Sequence, residues 1–424
     1  MSMSTLKVNK LRDTAGSADA ITLDPNGGAV LAGVTTVTSV KVGAAVTITE
    51  SGIEASGIGI TCANINGTQI GGRRNMLFNG AMQVAQRGTT GSGSYTTSGY
   101  PTADRWRIAA SNTDNASYNF SLPSDVPTGQ GFTRSWKLAV GTAESALDSN
   151  ELLYYSQILE GQDLQQLAYG TSSAKSMTLS FWVKAYQAGT YTCSIYKADQ
   201  TARGVKINYT INASATWEFK TITFPGDTGG GGIDNDNGGG LYVHWVLASG
   251  SDFTSSNSMD GSWANYGSSG FAHGQTVNTM SSTDNYWQIV GVQLEVGTQA
   301  TAFEHRSFGE ELALCQRYYY VHLESGNSGK SFMNSNQYNS SASYGHLQFA
   351  CTMRTNPTLE IASGTNYYGA FGNSTAQYVS DLSTVSTNPN GAELGGSTSS
   401  FSSGQSIWWR AHNASSKIAF TADL

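Results

Sequence analysis

The first 77 residues contain no aromatic side chain. All 15 Phe, 21 Tyr and 9 Trp residues lie from Phe78 onward. Because aromatic side chains dominate the energetics of protein cores, a segment of this length without them has little large apolar surface to bury. We therefore expect the N-terminal segment to depend on partner chains for its stability. The remainder has enough Tyr and Trp both to fill cores and to present rings to a ligand.

The composition of the 424-residue chain limits the classes of molecule that we expect it to bind. Length alone predicts about three domains. Only 12% of residues are charged and the formal net charge is -7. The basic surface that phosphate backbones require is missing, so we expect no nucleic acid partner. No run approaches the roughly 18 apolar residues of a membrane span, so we expect no membrane insertion. The cysteines are widely spaced and are expected to be reduced structural thiols.

Residues 22–61 carry short β-branched runs separated by glycine, such as Val40 and Val42, Val46 and Ile48, and then Ile53, Ile58 and Ile60. Their alternation predicts strands. Each run offers only two or three apolar side chains to one face. Such strands become stable when several chains bury their apolar stripes together, which predicts a thin oligomeric shaft. A disordered Gly-rich leader is the alternative, although the low charge does not fit a disordered segment.

The middle of the chain alternates strongly. Three sets of apolar residues are each predicted to share one strand face: Met177, Leu179, Phe181 and Val183; Leu241, Val243, Trp245 and Leu247; Val290, Val292, Leu294 and Val296. Such strands, joined by Gly, Asn and Asp turns, indicate an antiparallel β-sandwich over residues 73–306. Ser307 and Glu310 have the spacing of a capping box, which predicts a connector helix running up to the tyrosines at 318–320. A last β-rich unit follows.

Two pairs of segments resemble a known family. They are residues 75–87 with Asp-Arg-Trp at 104–106, and residues 291–297 with residues 300–306. These look like the opening and closing strands of the carbohydrate-binding-module-like jelly roll in tail fibres of marine and cyanobacterial tailed phages. Residues 310–319 resemble the segment that follows this module, and residues 39–67 are similar to virion appendage segments. Together they cover about three quarters of the chain.

The resemblance implies a homotrimeric tail fibre located in the virion. Residues 1–24 would anchor it to the virion tail or an adaptor protein, 25–72 would form the trimeric shaft, 73–306 the jelly roll, and 307–424 the connector helix and distal receptor-binding domain. The partner it implies is a host-surface glycan. It also implies a structural Ca²⁺ with Asn79 and Glu295 as ligands, although Glu295 as an ordinary exposed strand residue is the alternative. No other cofactor is expected.

A glycan-cleaving tailspike is the enzymatic alternative. It requires two carboxylates held about 5 to 9.5 Å apart. The candidates form two groups: Glu151, Glu160 and Asp163, and Asp227, Asp234 and Asp236. The second group lies in a glycine-rich loop, and carboxylates in such a loop are not preorganised as an acid and base. We therefore expect no enzymatic activity. A purely architectural virion protein is a third alternative.

The best recognition candidate lies near residue 408. Strand alternation places Trp408, Arg410 and His412 on one face, with Ile407 and Trp409 on the other. Sugars are bound by exposed rings beside hydrogen-bonding groups, so we expect the first set to bind the glycan, although a subunit interface would use the same residues. Tyr368, from the Tyr367-Tyr368 pair, is a further candidate. The sequence thus predicts an all-β fold: thin N-terminal oligomeric shaft, antiparallel jelly-roll sandwich, short connector helix and distal β-sandwich tip.

Overall fold

The computed structural model describes residues 73–424 except 95–97 and 112–114, and only the backbone of short strands before residue 73. Those strands are β1 (Lys10–Arg12), β2 (Asp19–Leu23), β3 (Ala29–Leu31), β4 (Ser39–Val42), β5 (Val46–Thr49), β6 (Gly52–Ala55), β7 (Asn64–Ile65) and β8 (Thr68–Gln69). Strands β1 to β3 and β4 to β6 form antiparallel sheets, and β7 pairs with β8. Strands β4 to β6 fall on predicted Val/Ile runs. Ile58, Ile60 and most of the predicted anchor lie outside the described residues, and the oligomeric shaft stays a prediction.

The chain divides into two compact units, Met1–Ala63 and Asn64–Leu424. The second unit contains a large β-sandwich. Its strands are β9 (Thr90–Ser94), β10 (Arg107–Ser111), β11 (Ser117–Ser121), β12 (Trp136–Thr142), β13 (Leu152–Glu160), β14 (Met177–Ala185), β15 (Gly189–Lys197), β16 (Arg203–Ile211), β17 (Glu218–Phe224), β18 (Gly239–Ser249), β19 (Ala264–Asn265) and β20 (Tyr286–Val296). The first six-stranded sheet has the order β10-β13-β18-β15-β16-β19, and the second has the order β17-β14-β20-β12-β11-β9. All their strand pairs are antiparallel, as predicted.

The sandwich core lies between these two sheets. Phe181 on β14 and Trp245 on β18 are fully buried, and their rings meet edge to face at 5.7 Å. Tyr155 stacks between Trp106 and Trp136, with centroid distances of 5.1 and 3.9 Å. The predicted inward faces of β14 and β18 are therefore confirmed. Short 3₁₀ turns punctuate the loops at Gly161–Asp163, Gln165–Leu167, Ser251–Phe253, Ser268–Gly270 and Thr279–Ser281.

The segments that carry the family resemblance meet in space. The Asn75 amide Nδ2 donates to the Val292 carbonyl at 3.0 Å, and Asn75 Oδ1 accepts from the Leu294 amide at 3.0 Å. Arg306 donates to the Leu77 carbonyl at 3.1 Å. Trp106 Nε1 donates to the Asn79 carbonyl at 2.9 Å. The motif residues thus fix residues 75–79 to the strands of the sandwich, which is a structural role.

The connector helix α1 spans Phe308–Gln316, and its predicted capping box is confirmed. Ser307 Oγ accepts from the Glu310 amide at 3.3 Å, and the Glu310 carboxylate accepts from the Ser307 amide at 3.0 Å. The helix is shorter than predicted because Tyr319 already belongs to the next strand. Within the part of the chain that the structure describes, no helix is long and apolar enough to span a membrane.

The distal domain is a second β-sandwich with its own core. Its strands are β21 (Tyr319–Leu323), β22 (Ser331–Gln337), β23 (Ala342–Gln348), β24 (Thr358–Ile361), β25 (Tyr368–Gly372), β26 (Thr375–Val379), β27 (Ser383–Asn388), β28 (Gly391–Ser397), β29 (Ser406–Ala411) and β30 (Ile418–Thr421). One sheet has seven strands, in the order β26-β25-β29-β22-β23-β28-β27, and the other has the order β21-β30-β24. Met333, Trp409 and Phe420 belong to the core of this domain. The opposite face of the seven-stranded sheet carries exposed and half-buried residues.

The two sandwiches contact each other directly as well as through α1. Arg354 donates to the Asn237 carbonyl at 3.0 Å and to the Ala422 carbonyl at 2.7 Å. The Tyr100 hydroxyl donates to the Leu424 carbonyl at 2.7 Å, and Arg87 pairs with Asp423. The distal domain is thus held on the first sandwich at more than one place.

Candidate functional site on the outer face of the distal sheet

Trp408 and Trp409 point to opposite faces of β29. Trp408 is 37% exposed, whereas Trp409 is fully buried and donates from Nε1 to Ser335 Oγ at 3.0 Å. Arg410 is half-buried and His412 exposed on the same side as Trp408. The predicted strand parity is therefore confirmed, while ligand binding by these residues stays a prediction.

An aromatic cluster surrounds Trp408. The Phe371 ring lies nearly parallel to it at 6.2 Å, because Phe371 pairs with Trp408 across β25 and β29. The Tyr378 ring, 41% exposed on β26, meets Phe371 edge to face at 6.0 Å and lies 4.2 Å from the His412 ring. The Arg410 guanidinium lies 5.1 Å from the Phe371 centroid and 5.7 Å from that of Trp408. We call Phe371, Tyr378, Trp408, Arg410 and His412 the distal platform.

A glycine makes room for these rings. Gly369 pairs with Arg410 on one side and with Tyr378 on the other. A Cβ atom at this position would come within 2.7 Å of the Phe371 ring and 3.1 Å of the Tyr378 ring. The missing side chain therefore lets the rings lie close to the sheet, so that they present their faces across the strands.

A groove continues from Trp408 across the next strands. It has a volume of about 520 Å³ and is lined by Asn334, Ser335, Asn336, Tyr344, Gly345, His346, Glu393, Ser406, Ile407 and Trp408. Asn336 pairs with Tyr344, and His346 pairs with Glu393. The strands next to the rings therefore carry amides, an imidazole and a carboxylate on adjacent positions. The stacked rings can contact the apolar C–H face of a sugar, and the row of hydrogen-bonding side chains beside them can bind its hydroxyls.

Tyr368 does not belong to this surface, and its prediction as a ligand-binding residue is wrong. Its side chain is fully buried, and its hydroxyl shares its one hydrogen between the carbonyls of Ala362 at 2.6 Å and Lys417 at 2.9 Å. Tyr367 is the half-buried member of the pair. The register of β25 decides this choice, since Tyr368 pairs with the inward-facing Ala411.

The residues predicted to bind calcium are both occupied by internal hydrogen bonds. The Asn79 side chain donates to the carbonyls of Val84 at 2.8 Å and Asp104 at 2.9 Å, and it accepts from the Val84 amide. The Glu295 carboxylate accepts from the Thr301 amide at 2.8 Å and from its hydroxyl at 2.7 Å. Glu295 is also buried, rather than an exposed strand residue. The two side chains thus hold separate loops, and the described residues contain no group of three or more acidic, His or Cys side chains placed to hold a metal ion.

The carboxylates considered for catalysis have different surroundings. Asp227 is fully buried and pairs with Lys197 at 3.1 Å and Arg203 at 2.9 Å. The buried Glu151 accepts from the Asp148 amide at 2.6 Å. Asp234 and Asp236 are exposed. Burial raises the pKa of Asp163, whose carboxylate shares a pocket with Arg73, Met76 and Gln166.

A second aromatic surface lies on the outer face of the first sandwich sheet and was missed by the sequence reasoning. Tyr196 on β15 lies 5.3 Å from Tyr242 on β18 and 4.5 Å from Tyr266, which is 38% exposed. Tyr154 meets His244 edge to face at 4.9 Å. Burial, and then the charge of Arg107, lower the pKa of His244 to about 3, so the ring is neutral at pH 7. The alternation of Tyr242 with apolar residues was the available signal.

Comparison with known proteins finds similarity only among solved structures. No family model and no curated protein matches the sequence. The enzymatically active domain of bacteriophage CBA120 tailspike protein 4 matches 52% of this chain at 15% identity with a TM-score of 0.28, and the chain spans only 21% of that protein. A family 11 carbohydrate-binding module from Clostridium thermocellum, solved with a mixed-linked tetrasaccharide, matches 51% of this chain and 98% of its own at 12% identity, TM-score 0.24.

A xylan-binding domain from Paenibacillus barcinonensis matches 51% of this chain and 100% of its own at 10% identity, also with a TM-score of 0.24. The structural neighbours are thus carbohydrate-binding modules and a tailspike domain. At these identities and TM-scores no residue or ligand assignment is transferred from them.

Proposed function

We propose that this chain is a non-enzymatic tail fibre protein of a tailed phage, and that its distal platform attaches the virion to a host-surface glycan. The observation that carries the proposal is the alignment of Tyr378, Phe371 and Trp408 across three adjacent strands, on a face that continues into a polar groove. Stacked rings that remain partly exposed are characteristic of binding anchors. The family resemblance of residues 75–87 and 291–306 supports the assignment to a fibre.

Binding is favoured over cleavage because two of the buried candidate carboxylates, Glu160 and Asp227, are paired with arginine. Glu160 and Asp227 each accept from arginine, so neither is placed to exchange a proton with a glycosidic oxygen. The fibre in this proposal is a homotrimer that docks to the virion tail or an adaptor protein through its N-terminal segment.

To test this, the full chain is mixed with polysaccharide purified from the envelope of a susceptible host. Both the retention of the protein on the polysaccharide and the release of reducing ends from it are measured. Trp408→Ala is expected to lose retention. Tyr186→Ala removes a ring that is 45% exposed on the first sandwich and serves as the matched control, which should bind as the parent does. Release of reducing ends would contradict the non-enzymatic assignment. Equal binding by the two variants would contradict the site.

A further inference from the structure

Arg410 is half-buried and has no acidic partner among the described residues, unlike four other arginines of this protein. Its Nε atom is buried without a hydrogen-bond partner, and among the described residues no ion pair joins Arg410 to a carboxylate. By contrast, the arginines that pair with an acidic side chain are Arg87 with Asp423, Arg203 with Asp227, Arg306 with Glu304, and Arg317 with Glu160. The guanidinium of Arg410 instead lies beside the Phe371 and Trp408 rings.

The strand of Arg410 and the two strands beside it carry no acidic residue. Its pairing partners are Gly369 on β25 and Ser331 on β22. His412, farther along the same segment, adds an exposed imidazole that can donate a hydrogen bond. The acidic residue that lines the adjoining groove, Glu393, is on β28, three strands from β29. At a strand spacing of about 4.8 Å, this places Glu393 roughly 14 Å away across the sheet.

An arginine in this setting can bind an anion without first breaking an ion pair. Its planar fork of N–H groups matches a carboxylate or a sulfate in two-point geometry, and the flanking rings restrict its orientation before a ligand arrives. Because rings rather than a carboxylate neighbour the guanidinium, its N–H groups are not engaged by an acidic side chain of the described residues. The rings can then receive the sugar that carries the anionic group.

We propose that the distal platform selects an acidic saccharide, with a carboxylate or sulfate bound by Arg410 and the adjoining sugar ring stacked on Trp408. This inference rests on the proposed glycan-binding function and names the class of glycan. A hydrogen-bonded charge pair of this kind contributes roughly a tenfold to hundredfold gain in affinity over a neutral saccharide.

The experiment uses the full chain on an array of matched neutral, uronate-bearing and sulfated oligosaccharides, followed by calorimetry on the tightest acidic ligand and its neutral counterpart. We expect at least one acidic class to bind about tenfold or more tightly than the neutral one, and the array identifies which. Arg410→Gln should remove this difference, so that the variant binds the acidic and the neutral ligand with equal affinity. Arg410→Lys keeps the charge without the two-point fork and should recover only part of it.

Arg134→Gln is the matched control, because Arg134 is exposed beside α1, away from the distal platform. An equal loss in Arg134→Gln and Arg410→Gln would overturn the inference in favour of general charge attraction. Equal affinity of the parent for neutral and acidic ligands would overturn it while leaving glycan binding intact. Absence of binding to every saccharide on the array would overturn the proposed function as well. Melting curves establish that each variant is folded.

Discussion

Arg317 donates two parallel hydrogen bonds to the carboxylate of Glu160. Arg317 Nε donates to Glu160 Oε1 at 2.7 Å, and Nη2 donates to Oε2 at 2.7 Å. The Glu160 side chain is fully buried at the end of β13, while Arg317 directly follows α1. Burial alone would raise the pKa of Glu160, but the hydrogen bonds from Arg317 and Tyr318 outweigh it and leave the pKa below its ordinary value. The pair therefore joins the first sandwich to the connector as an ionised bridge.

Neutralising this bridge should destabilise the protein. Glu160→Gln leaves the Arg317 charge without its partner, and we expect a loss of about 3 kcal/mol in the free energy of unfolding measured in urea. Asp125→Asn is the matched control, because Asp125 forms an ion pair with Lys184 but is 45% exposed. It should cost less than about 1 kcal/mol. Similar costs for both changes would contradict the importance of the buried bridge.

Asp104 should make stability fall between pH 4 and 6. Burial raises its pKa to about 6, and hydrogen bonds from Gln86 only partly oppose this. The folded protein therefore keeps the proton to a higher pH than the unfolded chain does, so this contribution to stability is present below about pH 4 and is lost as the pH rises through 6. Asp104→Asn should remove this pH dependence, which amounts to at most about 3 kcal/mol in the free energy of unfolding between pH 4 and 6. An unchanged slope in pH-dependent urea melts would contradict the assignment.

The two adjacent tryptophans of β29 should respond oppositely. Trp409→Ala opens a cavity in the distal core and should cost about 3 to 5 kcal/mol of stability. Trp408→Ala removes a ring that is 37% exposed. It should cost about 1 kcal/mol of stability, while host adsorption falls strongly. Loss of trimer mass in Trp408→Ala, measured by light scattering, would show instead that this face is a subunit interface.

The tyrosines of the first sandwich provide a separate test of where recognition occurs. A Tyr196→Ala and Tyr242→Ala double variant removes the centre of that second aromatic surface. If the distal platform is the receptor site, this variant should adsorb to the host as the parent does. Loss of adsorption with an unchanged melting curve would move the site to the first sandwich.

The N-terminal segment should determine assembly. The full chain is expected to scatter light with three times its mass of 44.9 kDa, since the thin Val/Ile stripes require partner chains. Deleting residues 1–72 should leave a β-rich fold by circular dichroism, because the described aromatic cores begin at Phe78. The shortened chain should no longer join virions. Its incorporation at normal copy number, or a monomeric mass for the full chain, would contradict these assignments.

The sequence was sufficient for two local patterns. Alternation placed Trp408 outward and Trp409 inward, and the Ser307 and Glu310 spacing predicted the start of α1, because side-chain direction in a strand and capping in a helix depend on near neighbours. It could not show that Phe371 and Tyr378 complete the distal platform, since these residues reach Trp408 only through the pairing of separate strands. Nor could it choose between Tyr367 and Tyr368, because an alternating pair leaves the face undecided until the register is fixed.

The contacts of Tyr100 with Leu424 and of Arg354 with Asn237 have a mechanical consequence. A domain attached through one short connector can swivel about it, and a pulling force then acts on that segment alone. Here the connector and the returning segment at residues 422–424 attach side by side to the same sandwich. Torque on the distal domain is resisted by both attachments, and a tensile load is divided between them. A protein built in this way would keep the angle between its two sandwiches under strain and would transmit movement of one sandwich to the other.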